Sequence, residues 1–334
     1  MSASLSPTGT ADTITAPPEH DITQHTEQDE DDPMAEDRRS PTARRRRLSA
    51  ELETLIKGAG LDAVKVDESL HWTRGKTAKM LRGAWRLPSL RDIRDILDLL
   101  KIADGDPHRD YLLTLARQGR EKDWWHDYQS MLSDTFTTYL GLETEAQTIY
   151  TFEQGVFHGL TQTADYARAI MRNGPTELDD DAIEERVHVR LERQKLLTEG
   201  KDPLRLWTII DEAVLRRVPI DDVNPDGELI KSGAQIMREQ LQRIRELAGL
   251  ARVTVQVVPF TAGLHAGMSG PFTILEYAET ASDVAYTENL AGQLMLQKTE
   301  DLKKFRNAHE KLKGVALDPR TSLAFIAEVA ADLT

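Results

Sequence analysis

Between Leu48 and Leu100 the apolar residues fall into four short runs at helical spacing, separated by glycines, a Pro-Ser pair and polar breaks. Leu48, Leu52, Leu55 and Ile56 share one face and predict a helix from Leu48 to Lys57, closed by Gly58 and Gly60. Asp62 is placed to cap a second helix carrying Val66 and Leu70. Thr73 is the expected cap of a third, Arg74 to Arg82, with Thr77, Met80 and Leu81 inward and Gly83 as its stop. After Pro88, Ser89 opens a fourth helix whose stripe is Leu90, Ile93, Ile96, Leu97 and Leu100. Only His71, Trp72 and Thr73 separate the second and third helices, the tight connection of a helix-turn-helix.

Beyond Asp106 the pattern mixes periods. Helices are expected from Asp106 to about Gly119, Phe136 to Ile149, Ala164 to Met171, Asp180 to Glu199 and Gly227 to Ala248. Two more are expected near Lys298 to Leu312 and Ser322 to Ala331. Leu204 to Ile210 and Phe272 to Tyr277 alternate as strands, Val253 to Val258 is dense in β-branched residues, and Asp283 to Tyr286 reads as a further short strand. Trp124 and Trp125 suit a packed junction between modules better than a ligand stack. The expected class is therefore multidomain and mainly α: an all-α helix-turn-helix domain followed by an α+β domain with a small β-sheet and long helices. Its expected parts are an acidic disordered tail over 1–43, the helix-turn-helix domain over 44–102, a helical connector over 103–135, and a regulatory or dimerisation domain over 136–334.

Charge sharpens this division. The 334 residues carry a net charge of −14, which taken whole argues against a protein that coats nucleic acid. Residues 1 to 37 hold ten acids and no Lys or Arg, whereas residues 38 to 102 hold sixteen basic against eight acidic side chains. The tail is thus −10, the block +8 and the remainder −12. A basic block of this size is where nucleic-acid binding is to be sought. The opposite charges also raise the prospect that the tail folds back on the block and competes with DNA. With no cysteine there is no disulfide, thiolate nucleophile or Cys-ligated metal. No apolar run reaches a membrane span and no secretory pattern opens the chain, so a cytoplasmic protein, nucleoid-associated when bound to DNA, is expected.

The outward face of the third helix would be Arg74, Gly75, Ala78, Lys79 and Arg82, with Lys76 at its edge. An arginine there can take guanine O6 and N7 together, and small residues let the backbone approach base edges. Lys76, Arg82 and Arg86 suit phosphates, which add affinity and salt dependence without sequence information. Arg44, Arg45, Arg46 and Arg47 precede the first expected helix, where they would lie on phosphates, enter a minor groove as an arm, or serve as a flexible spacer.

The run from His71 through Gly83, followed by Pro88-Ser89, resembles the helix-turn-helix of phage-repressor-type (XRE) regulators. Tyr139 to Ala146, Gly159 to Ala169, Arg193-Gln194, Glu212 to Arg216, Val257 to Phe260, Gly270 to Phe272 and Tyr286 to Glu288 look like the C-terminal domain of actinobacterial WhiJ-like, antitoxin-like regulators. This resemblance implies a DNA-binding regulator, often encoded beside a small partner protein. The chain departs from the pattern at Ala63, where glutamine is usual, at Leu81, where glutamate is common, and at His71, where glycine is usual.

The expected function is sequence-specific transcriptional regulation without a cofactor, by a homodimer on a double-stranded operator of two half-sites, with a small protein partner encoded nearby. Two other readings stand beside it: an interaction protein that sequesters a small partner, with DNA binding secondary, and a small-ligand sensor around Gly263 to Gly270. An enzyme is disfavoured, because Ser269 lacks a nucleophile-elbow motif and the nine histidines include no H-E-x-x-H.

Overall fold

The computed structural model describes residues 41–81, 89–128, 131–200, 202–223, 226–277 and 283–333. The acidic segment 1–40 lies outside them, as do Arg82, Gly83 and Arg86, so the expectations for the tail and for those two arginines concern undescribed residues.

The first apolar stripe forms α1 (Pro41–Gly58), which begins seven residues before the expected Leu48 and buries Leu48, Leu52 and Ile56. Gly60, at φ 70°, ends it: the Gly60 amide bonds Lys57 O at 2.9 Å and the Leu61 amide bonds Ile56 O at 3.0 Å. This paired closure satisfies carbonyls that a helix end leaves orphaned. Asp62 starts α2 (Ala63–Ser69) by accepting the Val64 and Lys65 amides at 3.0 and 2.9 Å. Then follow α3 (Lys76–Leu81), α4 (Leu90–Leu99), opened by the Ser89 hydroxyl, and α5 (Pro107–Gln118), opened by Asp106. Leu48, Leu52, Ile56, Val66, Met80, Ile93, Ile96, Leu97 and Leu112 meet in one core, none more than 3% exposed. Each such side chain contributes about 1.5–3 kcal/mol over its exposed state. Trp125 is buried against Leu140 and Val189, while Trp124 stays 42% exposed.

α6 (Asp134–Glu145) ends sooner than the expected Ile149, because Thr148–Glu153 is strand β1. It is followed by α7 (Ala164–Arg172), α8 (Asp180–Gln194), β2 (Arg205–Asp211) and α9 (Glu212–Arg216). A short hairpin, β3 (Asp222–Val223) and β4 (Leu229–Lys231), precedes α10 (Gly233–Leu247). The expected start of that helix at Gly227 is corrected: the Ser232 hydroxyl caps it by accepting the Gln235 amide, and residues 229–231 are extended. β5 (Val253–Val258), β6 (Phe272–Glu276), β7 (Val284–Asn289) and β8 (Gly292–Leu296) follow, then α11 (Thr299–Val315) and α12 (Pro319–Asp332).

The small sheet expected from the sequence is instead a mixed sheet of six strands, ordered β5-β2-β1-β6-β7-β8. β5, β2 and β1 run parallel, and β6, β7 and β8 are antiparallel. Alternation along the strands gives the sheet two covered faces. Ile149, Leu206, Ile210, Val255 and Val257 face a core shared with α10 and α12. Phe152, Ile209, Val258 and Ile274 face a second core closed by Phe305 and Leu312 of α11. The connection from β5 to β6 crosses the carboxyl ends of β2 and β1, and Gly263 to Gly270 lies in it. Among the described residues, no helix is long and apolar enough to cross a membrane.

Candidate nucleic-acid interface

The turn from α2 to α3 is built on one buried carboxylate. Asp67, 3% exposed, accepts the Gly75 amide at 2.7 Å, the Thr77 amide at 2.9 Å and the Thr77 hydroxyl at 2.6 Å. Burial works to raise the Asp67 pKa, but these bonds, with one from the Lys76 amide, hold the carboxyl below its ordinary value. The Gly75 and Thr77 amides are therefore satisfied from α2 and not by the side chain of Thr73, the expected cap, whose carbonyl accepts the Lys76 amide at 3.1 Å. The physical reason is Gly75: at φ 90° it lies in the left-handed region, so the helix begins only at Lys76. Nothing stands within 4 Å of a Cβ placed there, so the demand for glycine is conformational.

His71 stands at a position whose backbone favours glycine. It sits at φ 52° and closes α2 with the double bond pattern seen at Gly60: its amide reaches Glu68 O at 3.2 Å and the Trp72 amide reaches Asp67 O at 2.8 Å. The far end of α3 is tied to α1, whose buried Ser49 hydroxyl donates to Met80 O at 2.7 Å. Leu81 is half-buried against the helical core.

These constraints divide the expected contact residues into two groups. Arg74 and Lys79 are exposed, and Ala78 is half-buried between them in sequence. Lys76 is engaged within the cluster: its Nζ bonds Asp92 Oδ1 at 2.6 Å and stands 3.8 Å from the centre of the Trp72 ring, linking α3 to α4. Arg44 to Arg47 are not an arm or spacer ahead of the first helix, because α1 already includes them. Arg44 pairs with Glu121 at 3.0 Å and Arg45 donates to Gly119 O at 3.1 Å. Arg46 lies 4.7 Å from the Tyr277 ring centre and Arg47 5.6 Å from that of Tyr111. Burial lowers the Arg45 pKa, against the raising influence of Asp123. The run fastens α1 to the residues after α5 and to the end of β6.

Sequence reasoning missed Asp67, Ser49 and Asp92 as organisers. Asp67 carried a signal, an acid within an otherwise apolar face of α2. Asp92 carried none, since its partner is sixteen residues away.

A helical cluster with an exposed Arg74–Lys79 edge thus leads into a mixed-sheet α/β domain. The chain belongs to the family described as Domain of unknown function (DUF5753), whose model matches residues 136–328, more than half of its length. The matched span begins within α6, ends within α12 and takes in the whole six-stranded sheet. No curated protein and no solved structure matches the chain.

Proposed function

We propose that this protein is a sequence-specific DNA-binding regulator in which α2 and α3 form a helix-turn-helix and α3 enters the major groove. The observation that carries the reading is the rigid α2–α3 turn anchored on Asp67, which leaves Arg74 and Lys79 exposed while every expected inward residue of α3 packs. Arg74 reads a guanine edge and Lys79 a neighbouring base or phosphate. One such helix covers few base pairs, so two copies on paired half-sites supply the specificity. The net −12 of residues 103 to 334 repels DNA elsewhere and leaves this edge as the productive approach.

A second reading, capture of a small protein partner, is favoured by the β3–β4 region, where Ile220, Leu229 and Ile230 are each at least 60% exposed. Gel shift of the full chain on DNA upstream of its own gene, with and without the neighbouring small protein, separates the two. Retardation by the chain alone, lost on a scrambled duplex, supports regulation. Retardation on neither duplex, with a stable complex between the two proteins, overturns it in favour of the second.

A further inference from the structure

A cavity of about 540 Å³ opens where β1, β2 and β5 end, lined among others by Gln154, Asp211, Arg217, Phe260, His265 and Met268. Its volume falls within the range of small-molecule sites, and carboxyl ends of parallel strands are where open α/β sheets bind ligands.

The roof is fixed to the floor. His265 is a positioning residue with both ring nitrogens engaged: Nδ1 accepts the Gly267 amide at 3.2 Å and Nε2 lies 3.3 Å from Asp211 Oδ2. Gly267 presses on Phe152 so closely that a Cβ would stand 2.3 Å from the ring, so no other residue fits without moving the sheet's core. Gly263 at φ 66° and Gly270 at φ 117° bend the chain at either end of this flap.

What remains open to a ligand is specific. The Arg217 guanidinium donates once, to Gly155 O at 3.2 Å, and forms no ion pair among the described residues. Asp211 accepts the Ala213 amide on Oδ1 at 2.8 Å and faces His265 with Oδ2, while a carboxylate offers about four acceptor positions. Phe260 and Met268 are 58% and 49% exposed at the rim.

We propose that this cleft binds a small organic anion carrying a planar ring and one hydrogen-bond donor, with the anionic group on Arg217, the donor on Asp211 and the ring against Phe260 and Met268. The site belongs to the DUF5753 portion of the chain and stands whether or not α3 binds DNA.

The test uses 8-anilinonaphthalene-1-sulfonate, which combines a sulfonate, an N–H and fused rings, titrated against the full-length protein with fluorescence readout. Saturable one-to-one binding is expected, weakened about tenfold or more by Arg217→Gln and several-fold by Phe260→Ala, both exposed positions whose replacement leaves the fold intact. Ile230→Ser, on the exposed hairpin, should bind as the parent does. Equal binding by the parent and Arg217→Gln would overturn the proposal. So would loss of binding in Ile230→Ser, which places the dye on the hairpin.

Discussion

The α2–α3 turn of the helical cluster and the sheet domain are both held by buried polar groups, but at very different ranges along the chain. In the cluster, Asp67 organises residues eight to ten positions away. In the sheet domain, buried Arg193 grips buried Glu143 fifty residues away through two 2.7 Å bonds. There Gln240 also donates to Thr161 O and accepts the Thr163 amide, 79 and 77 residues distant. Short-range polar closure lets the α2–α3 turn present a defined surface with few parts. Long-range closure makes the sheet domain depend on pairs that are costly to break singly.

Breaking the Arg193–Glu143 pair should therefore have the largest effect. Glu143→Ala leaves a buried guanidinium uncompensated and is expected to cost about 3–5 kcal/mol in denaturant unfolding. Glu153→Gln should act in the opposite direction. Burial pushes the Glu153 carboxyl up to about 8, against a hydroxyl bond from Thr151 that lowers it. A carboxyl raised on folding contributes stability that is full below its unfolded value near 4.5 and is lost as pH climbs to about 8. The variant should gain roughly 4 kcal/mol on the parent at pH 8 and almost nothing at pH 4. Unfolding curves at the two pH values check this.

Asp67→Ala tests the cluster. It orphans the Gly75 and Thr77 amides and the Thr77 hydroxyl, for about 1–3 kcal/mol. Because the Asp67 carboxyl is held below its ordinary value, its contribution is present at neutral pH and fades as pH falls through the folded value. Parent and variant should converge in acid. The smallest effect is expected at His71, where glycine removes a left-handed strain but adds unfolded-state entropy. His71→Gly should shift stability by less than about 1 kcal/mol in thermal unfolding.

The same contrast in range decides what could be read beforehand. α2, α4, α5 and α7 follow from their stripes and from caps at Asp62, Ser89, Asp106 and Thr163 that bond within three residues. β1 is not expected from the sequence, whose helix runs on to Ile149, because it is covered on both faces and no glycine or proline divides it from α6, so neither period stands out. β8 escaped because it is a largely exposed edge strand with only partial burial to pattern it. At the interface, Arg74 and Lys79 were visible as an outward helical pair. The commitments of Lys76 to Asp92 and of Arg44 to Glu121 were not, since each depends on how segments apart in sequence meet.

The central claim, base reading by the exposed edge of α3, rests most directly on a specificity ratio. Affinities for the upstream duplex and a scrambled duplex are measured by fluorescence anisotropy at one fixed salt concentration, for the parent and for the Arg74→Ala, Lys79→Ala double variant, with unfolding curves as the control for fold. The account predicts unchanged stability and a ratio that collapses to near one. A double variant that keeps the parent's ratio would contradict it.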